Sequence, residues 1–306
     1  MGISRRKAIT LCSAIGLDAI LEGFGLGLIG NSARLADYTR RRASYYTPQE
    51  VAEIFKEQGV NPVVTESSGR RTILIIGDSS HMVFGKTYVD LVSNVKRRLK
   101  IARVFMEGIY EKSHGDDPHL EYFRDQGEFD EEDYIKRDQQ GYFGLKRNNV
   151  MNGIEDRELC LDVNTVDKIG DEFLKFMFSD KLDVDKVNKL YDSIRNKGFV
   201  LGNLSQMNLD ERREFQEKIR EESDRLFVLK RNSVFVSAIN RQLRDYETGA
   251  LVVGEGHISL DRHPCRPLHL GNYNLLTDLS DVGVGSVYLS VSDAVRYNMG
   301  TKKDNS

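Results

Sequence analysis

Ile73-Leu74-Ile75-Ile76 is an unbroken apolar run, rich in β-branched residues, that stops at Gly77. A run of this length and kind predicts a strand buried on both faces. Asp78-Ser79-Ser80-His81 is then a polar loop at the strand's C-terminal end. Tyr88, Leu91, Val92, Val95 and Leu99 recur at helical spacing, with Lys96, Arg97, Arg98 and Lys100 in the last turn, where cations suit the helix dipole. Ile101 to Met106 predicts a second buried strand, ending at Glu107-Gly108. Two strands joined by one helix run parallel, so both ends open on the same edge of the sheet, and His81 and Glu107 face one crevice. An imidazole beside a carboxylate serves acid–base chemistry or metal ligation. Read alone, the segment equally admits Glu107 as a turn cap and His81 as an ordinary loop histidine.

The flanking pattern extends this unit in both directions. Thr47-Pro48-Gln49-Glu50 reads as a helix start, with Thr47 as N-cap and Glu50 completing a capping box, and Val51, Ile54 and Phe55 supply its apolar face. Asn61-Pro62 and Ser67-Ser68-Gly69 are turn chemistry leading into the central strand. Residues 110–149 form a polar insertion in which His114 and His119 flank a Gly-Asp-Asp-Pro sequence; a solvated acidic loop is the default reading, with a lid or metal role as its rival. Val150 to Asp156 reads as a short strand whose end delivers acids. Apolar stripes at 166/169/173/176, 184/187/191/194 and 215/219/226 predict three helices, a helical section over about 165–226. Arg231 opens another helix with Phe235, Ile239 and Leu243 on one face, ended by Thr248-Gly249, and Ala250 to Val253 is a third buried strand followed at once by Gly254-Glu255-Gly256-His257.

These elements predict an α/β fold of three layers, a mostly parallel sheet flanked by helices, as one domain over 46–306. Residues 1–45 stand apart. Ser4-Arg5-Arg6-Lys7 resembles the start of a twin-arginine export signal, and the glycine-rich apolar stretch behind it is interrupted by Asp18 and Glu22. A signal or signal-anchor, giving an exported or membrane-associated protein, is the leading account; an amphipathic helix is the other, with a cytoplasmic protein as the alternative location. The 44 basic and 47 acidic residues nearly cancel and are mixed along the chain, which argues against a nucleic-acid partner. Cys12, Cys160 and Cys265 are too few for a disulfide scaffold and are read as free, although Cys160 and Cys265 could bridge in an oxidising compartment.

The arrangement of a strand, a glycine and then a histidine occurs twice, at Gly77 to His81 and at Gly254 to His257. Glycine at such turns allows close backbone approach to a ligand. Arg231, at a helix start, could reach the same crevice and hold an anion or polarise a carbonyl. The ordered series Gly77-Asp78-Ser79-Ser80-His81, Glu107-Gly108, Gly153-Ile154-Glu155-Asp156, Arg231-Asn232 and Gly254-Glu255-Gly256-His257 resembles the superfamily of the Tiki and TraB proteins, the ChaN haem-binding lipoproteins and the erythromycin esterases. The resemblance covers roughly residues 73–289. Asp78 stands where that family usually has glutamate, and the segment Asp261 to Pro267 is foreign to its pattern.

The resemblance implies hydrolysis of an ester or amide in a small molecule or peptide. His81 would be general base or metal ligand, Glu107 would orient it or share the ligation, His257 would be the second base or ligand, and Arg231 would stabilise the oxyanion. Gly77, Asp78, Glu155, Gly254 and Gly256 would support them. A divalent metal (zinc, manganese or iron) on His81, Glu107 and His257 and a metal-free mechanism both stay open. The rival classes are a non-catalytic haem- or metal-binding protein and a membrane-attached TraB-like regulator. No Gly-x-Ser-x-Gly element is present, which disfavours a serine nucleophile.

Overall fold

The structure, a computed structural model, describes residues 45–78, 98–112, 151–179, 182–198, 200–202, 204–258 and 274–290, with single positions 38, 39, 42, 121, 125 and 293. The expected N-terminal segment, the helix over 88–99 up to residue 97, most of the polar insertion, and His81 lie outside these residues.

Helix α1 (Pro48–Lys56) starts as its sequence requires. Thr47 accepts from the Glu50 N–H while the Glu50 carboxylate accepts from the Thr47 N–H at 2.9 Å, which satisfies two of the amide donors that a helix start leaves unpaired. Among the described residues six strands follow: β1 (Val63–Thr65), β2 (Arg71–Asp78), β3 (Arg103–Tyr110), β4 (Met151–Glu155), β5 (Thr248–Gly254) and β6 (Val284–Leu289). They lie side by side in the order β1-β6-β2-β5-β3-β4. Only β1 is antiparallel, on β6. The pairs β6/β2, β2/β5, β5/β3 and β3/β4 are all parallel.

The predicted three layers are present. On one face α1 packs through Val51, Ile54 and Phe55 on Leu74, Ile76, Val104, Met106, Val252 and Val287. On the other, α5 (Arg231–Gln242) and α6 (Leu275–Asp281) pack on Ile73, Ile75, Phe105, Leu251, Val253 and Tyr288. Alternate residues of one strand thus feed opposite cores, as the pleat dictates, and an all-apolar strand is what a sheet covered on both sides needs. The helices α2 (Arg157–Ser179), α3 (Val184–Ser193) and α4 (Leu209–Asp224) gather a third core around Phe173, Phe176, Phe215 and Ile219. Among the described residues no helix is long and apolar enough to cross a membrane.

Several boundaries differ from the pattern reading, each for a physical reason. The strand expected to end at Glu107-Gly108 runs on to Tyr110, and its pairing with β4 shifts register between Met106 and Tyr110, with Gly108 at φ +80°. This is a bulge, which turns a strand without ending it. Thr248-Gly249, read as a helix end, opens β5, and α5 stops at Gln242. The helical section begins earlier, at Arg157. Helices α4 and α5, read as separate, are joined by a π-helical segment, Arg225–Lys230. The buried stripe Phe215, Ile219, Glu222 and Leu226 then continues as Arg231, Phe235 and Ile239, so one five-residue step replaces a step of three or four. Without that wider turn the next positions in line would be Lys230, Ser233 and Ser237, all of which face solvent.

Ile75, fully buried at the centre of β2, gives a test of this packing: Ile75→Ala should lower stability by about 3 kcal/mol, read from urea denaturation, because the rigid sheet leaves the cavity unfilled.

Candidate functional site

The connections decide where a site can form. From β2 the chain moves toward β3, stepping over β5's position, whereas from β5 it moves to β6 on the other side of β2. Neighbouring parallel strands whose connections depart in opposite directions leave a crevice at their C-terminal ends. Here that switch point falls between Gly77-Asp78 and Gly254-Glu255-Gly256-His257, the two ends at which the motifs sit.

Arg231 is the centre of the group. Its position at the start of α5, directly after the π-helical segment, carries a side chain only 3% exposed to the ends of β3 and β4. Its Nε donates to Glu155 Oε2 at 3.1 Å and its Nη2 to Glu155 Oε1, a bidentate pair. Nη2 also donates to Glu107 Oε1 at 2.9 Å. Both carboxylates are further held by backbone: Gly254 N–H donates to Glu107 Oε2 at 2.6 Å, and Gly108 N–H to Glu155 Oε1 at 3.3 Å. The bulge in β3 therefore brings a backbone donor and the Glu107 side chain into the same cluster. Cys160, a free buried thiol on α2, lies 3.4 Å from Glu155 Oε2; burial and the adjacent carboxylate push its pKa well up, which keeps it an inert thiol.

His257 completes the group in the short 3-10 turn Glu255–His257 that follows β5. Asn232 fixes its tautomer. The Asn232 Nδ2 donates to the His257 carbonyl at 2.7 Å, so its Oδ1 is the atom 2.7 Å from His257 Nδ1, and Nδ1 must carry the proton. Nε2 is left as the basic nitrogen, 3.2 Å from Glu107 Oε1 and 3.4 Å from Arg231 Nη1. Neutral, it accepts from the guanidinium; protonated, it donates to the carboxylate. Phe227, from the π-helical segment, and Phe235 lie against the imidazole with ring centroids 4.8 and 5.2 Å away, and Arg231 lies over the same two rings. Burial lowers the His257 pKa below the ordinary imidazole value and the neighbouring Arg231 cation adds to this, while Glu107 pulls the other way.

Of the residues marked by sequence, Glu107, Glu155, Arg231 and His257 converge, with Gly254 as a backbone donor to Glu107 and Gly256 inside the turn that carries His257. Gly77, one residue before the end of β2, lies beside Glu255 and Tyr288. Asp78 is placed by its backbone as the last residue of β2. Two contributors were not marked as site residues. Asn232 adjoins Arg231 in the quoted motif, but only the fold shows that it faces His257, and Phe227 carries no pattern that separates it from core. Among the described residues no group of three or more His, Cys, Asp or Glu side chains is arranged to hold a metal. Between Glu107 and Glu155 the cation is the Arg231 guanidinium itself. The expected metal set has one member, His81, outside the described residues. No family model, curated protein or solved structure matches this chain.

Two outcomes follow for the folded protein. Arg231→Met should cost about 3–5 kcal/mol in denaturant unfolding, since it leaves two buried carboxylates without their counter-charge. Because the native His257 binds its proton less readily than a free imidazole, the unfolded chain takes up a proton first as pH falls; stability is lost from about pH 6.5 downward through the lower native value. The urea midpoint should fall between about pH 7.5 and pH 5, and His257→Gln should show a smaller fall over the same range.

Proposed function

We propose that this chain hydrolyses an ester or amide bond at the crevice between β2 and β5, with His257 as general base. The observation that carries the reading is the fixed tautomer: Asn232 holds Nδ1–H, so the nitrogen turned toward Glu107 and Arg231 is the one able to accept a proton. Two carboxylates face one guanidinium in this quartet, so a proton taken up by His257 neutralises the group instead of adding a lone buried charge.

A water that displaces the Arg231 Nη1 contact gives a proton to Nε2, and the water oxygen bonds to the carbonyl carbon as the carbonyl pair moves onto its oxygen. The resulting imidazolium donates to Glu107 Oε1 while it is charged. Arg231 presents its Nη1 edge beside Nε2 and is the cation assigned here to the developing oxyanion. Collapse of the tetrahedral species breaks the C–O or C–N bond, and the Nε2 proton passes to the leaving group. The lowered pKa of His257 keeps the imidazole neutral, and so available as a base, at neutral pH. The guanidinium between the carboxylates supports a metal-free form of this chemistry.

A panel of chromogenic and alkyl esters, followed by acid release, tests the reading. His257→Ala should reduce kcat by about 100- to 10,000-fold, Glu107→Gln by a smaller factor, and dialysis against a chelator should leave the rate unchanged. Full activity in His257→Ala would refute it.

A further inference from the structure

The opposite end of the central strands carries a cluster that the hydrolase reading does not use. Arg70 stands one residue before β2 and Tyr246 two residues before β5, on the two strands at the centre of the sheet, and the Tyr246 N–H donates to the Arg70 carbonyl at 2.7 Å. At about 3.3 Å per residue, the length of β2 puts this pair roughly 25 Å from the switch point. Tyr246 is only 8% exposed and has φ +61°, a left-handed conformation that a bulky side chain rarely adopts. Such outliers persist only where the surrounding structure holds them, and they cluster at ligand sites.

The groups around this phenol are cations and other phenols. Tyr38 and Tyr45 meet its ring edge-on, with centroids 5.2 and 5.9 Å away. The exposed guanidinium groups of Arg42 and Arg70 lie 5.8 and 5.2 Å from its centroid. Arg70 Nη1 donates to the Tyr246 oxygen, and the Tyr38 hydroxyl donates to it at 3.2 Å. With both bonds received, the proton of Tyr246 itself has no acceptor among the described residues. Among the same residues neither arginine has a carboxylate at ion-pair distance: Glu247, next to Tyr246 in the chain, is turned to Arg103 at 3.1 Å and accepts from the Arg244 N–H at 3.0 Å. Burial raises the Tyr45 pKa, and Glu50 and Glu66 add to this. The hydrogen bond from Tyr38, followed by Arg70 and Arg42, instead lowers the pKa of Tyr246, so this is a place where negative charge is favoured.

We propose that Arg42, Arg70 and the Tyr246 hydroxyl form a binding site for a phosphate monoester. The ring face offsets only part of the repulsion between two guanidinium groups gathered beside it, and an anion between them removes the rest. A phosphate monoester carries close to two negative charges and three acceptor oxygens, which matches two cations and one phenolic proton, whereas a carboxylate neutralises only one cation. Arg70 gives one of its five N–H donors to Tyr246 and keeps the others for the ligand. The ligand is either a soluble phosphate ester or the headgroup of a phosphomonoester lipid. Its site is separate from the crevice and does not depend on hydrolysis there.

The test uses the full chain and two probes. Calorimetry with glycerol 3-phosphate, against glycerol and acetate as controls, reads the soluble ligand; sedimentation with phosphatidylcholine vesicles containing phosphatidic acid, against phosphatidylcholine alone, reads the lipid. Arg42→Gln and Arg70→Gln should each weaken binding by about 10- to 100-fold, the range of a hydrogen bond to a charged group, and Tyr246→Phe by about 3- to 10-fold. Both arginines are exposed, so these two variants should keep the wild-type urea midpoint while losing affinity, a separation that a purely structural role would not give. Saturable binding of glycerol 3-phosphate, lost in the variants, would support the proposal and identify a soluble ligand. Sedimentation with phosphatidic acid alone, again lost in the variants, would support it and identify the lipid. Binding of neither probe, binding undiminished in both arginine variants, or acetate binding as tight as that of glycerol 3-phosphate would overturn it, and none of these results bears on the hydrolase reading.

Discussion

A guanidinium removed from water must find opposite charge and full hydrogen bonding, or the fold that buries it does not form. Arg231 meets that demand only if four separate parts of the chain arrive together. β3 supplies Glu107, β4 supplies Glu155, α5 supplies the arginine itself, and the end of β5 closes on Glu107 through the Gly254 N–H. None of these contacts is local in sequence. The arginine is therefore a constraint on topology as much as a site residue: it requires β5 to lie beside β3, and α5 to cross the same face of the sheet.

That constraint explains why the chemistry gathers on one face. Phe105, Leu251 and Val253 point into the core shared with α5 and α6, and Glu107, on β3 two residues beyond Phe105, continues that face to its polar rim. The apolar layer ends where the ion network begins. Phe227 and Phe235 form the boundary between them, in contact with both Arg231 and His257. The resulting low polarity is what depresses the basicity of His257 while strengthening its hydrogen bonds.

Much of the sheet was legible in the sequence because its strands are short apolar runs closed by glycine, a signal strong enough to place β2 and β5 and, with them, the switch point. Glu107, Glu155, Arg231 and His257 were legible for the same reason, since each stands at or next to the end of such a run or at a helix start. What escaped was geometry that depends on a partner. The short edge strand Val63–Thr65 is half-exposed and, among the described residues, pairs only with β6, so its residues carry no buried pattern. The bulge after Met106 is an adjustment to β4. The π-helical segment between α4 and α5 was hidden as a break in the apolar stripe, because a five-residue step resembles the end of one helix and the start of another. Asn232 looked like a helix-start residue until the backbone of His257 was set beside it.

The strand order has a consequence for how the chain is made. β5 pairs with β2 on one side and β3 on the other, yet it is the fifth strand to be synthesised, beginning only at Thr248. Until it emerges from the ribosome, β2 and the β3/β4 pair cannot be joined, and each presents an apolar edge with unpaired amides. Such edges are where nascent chains associate wrongly. The helical section between β4 and β5 prolongs that interval, so from Glu155 until Thr248 the nascent protein holds β2 without a strand partner beside the β3/β4 pair, both awaiting β5.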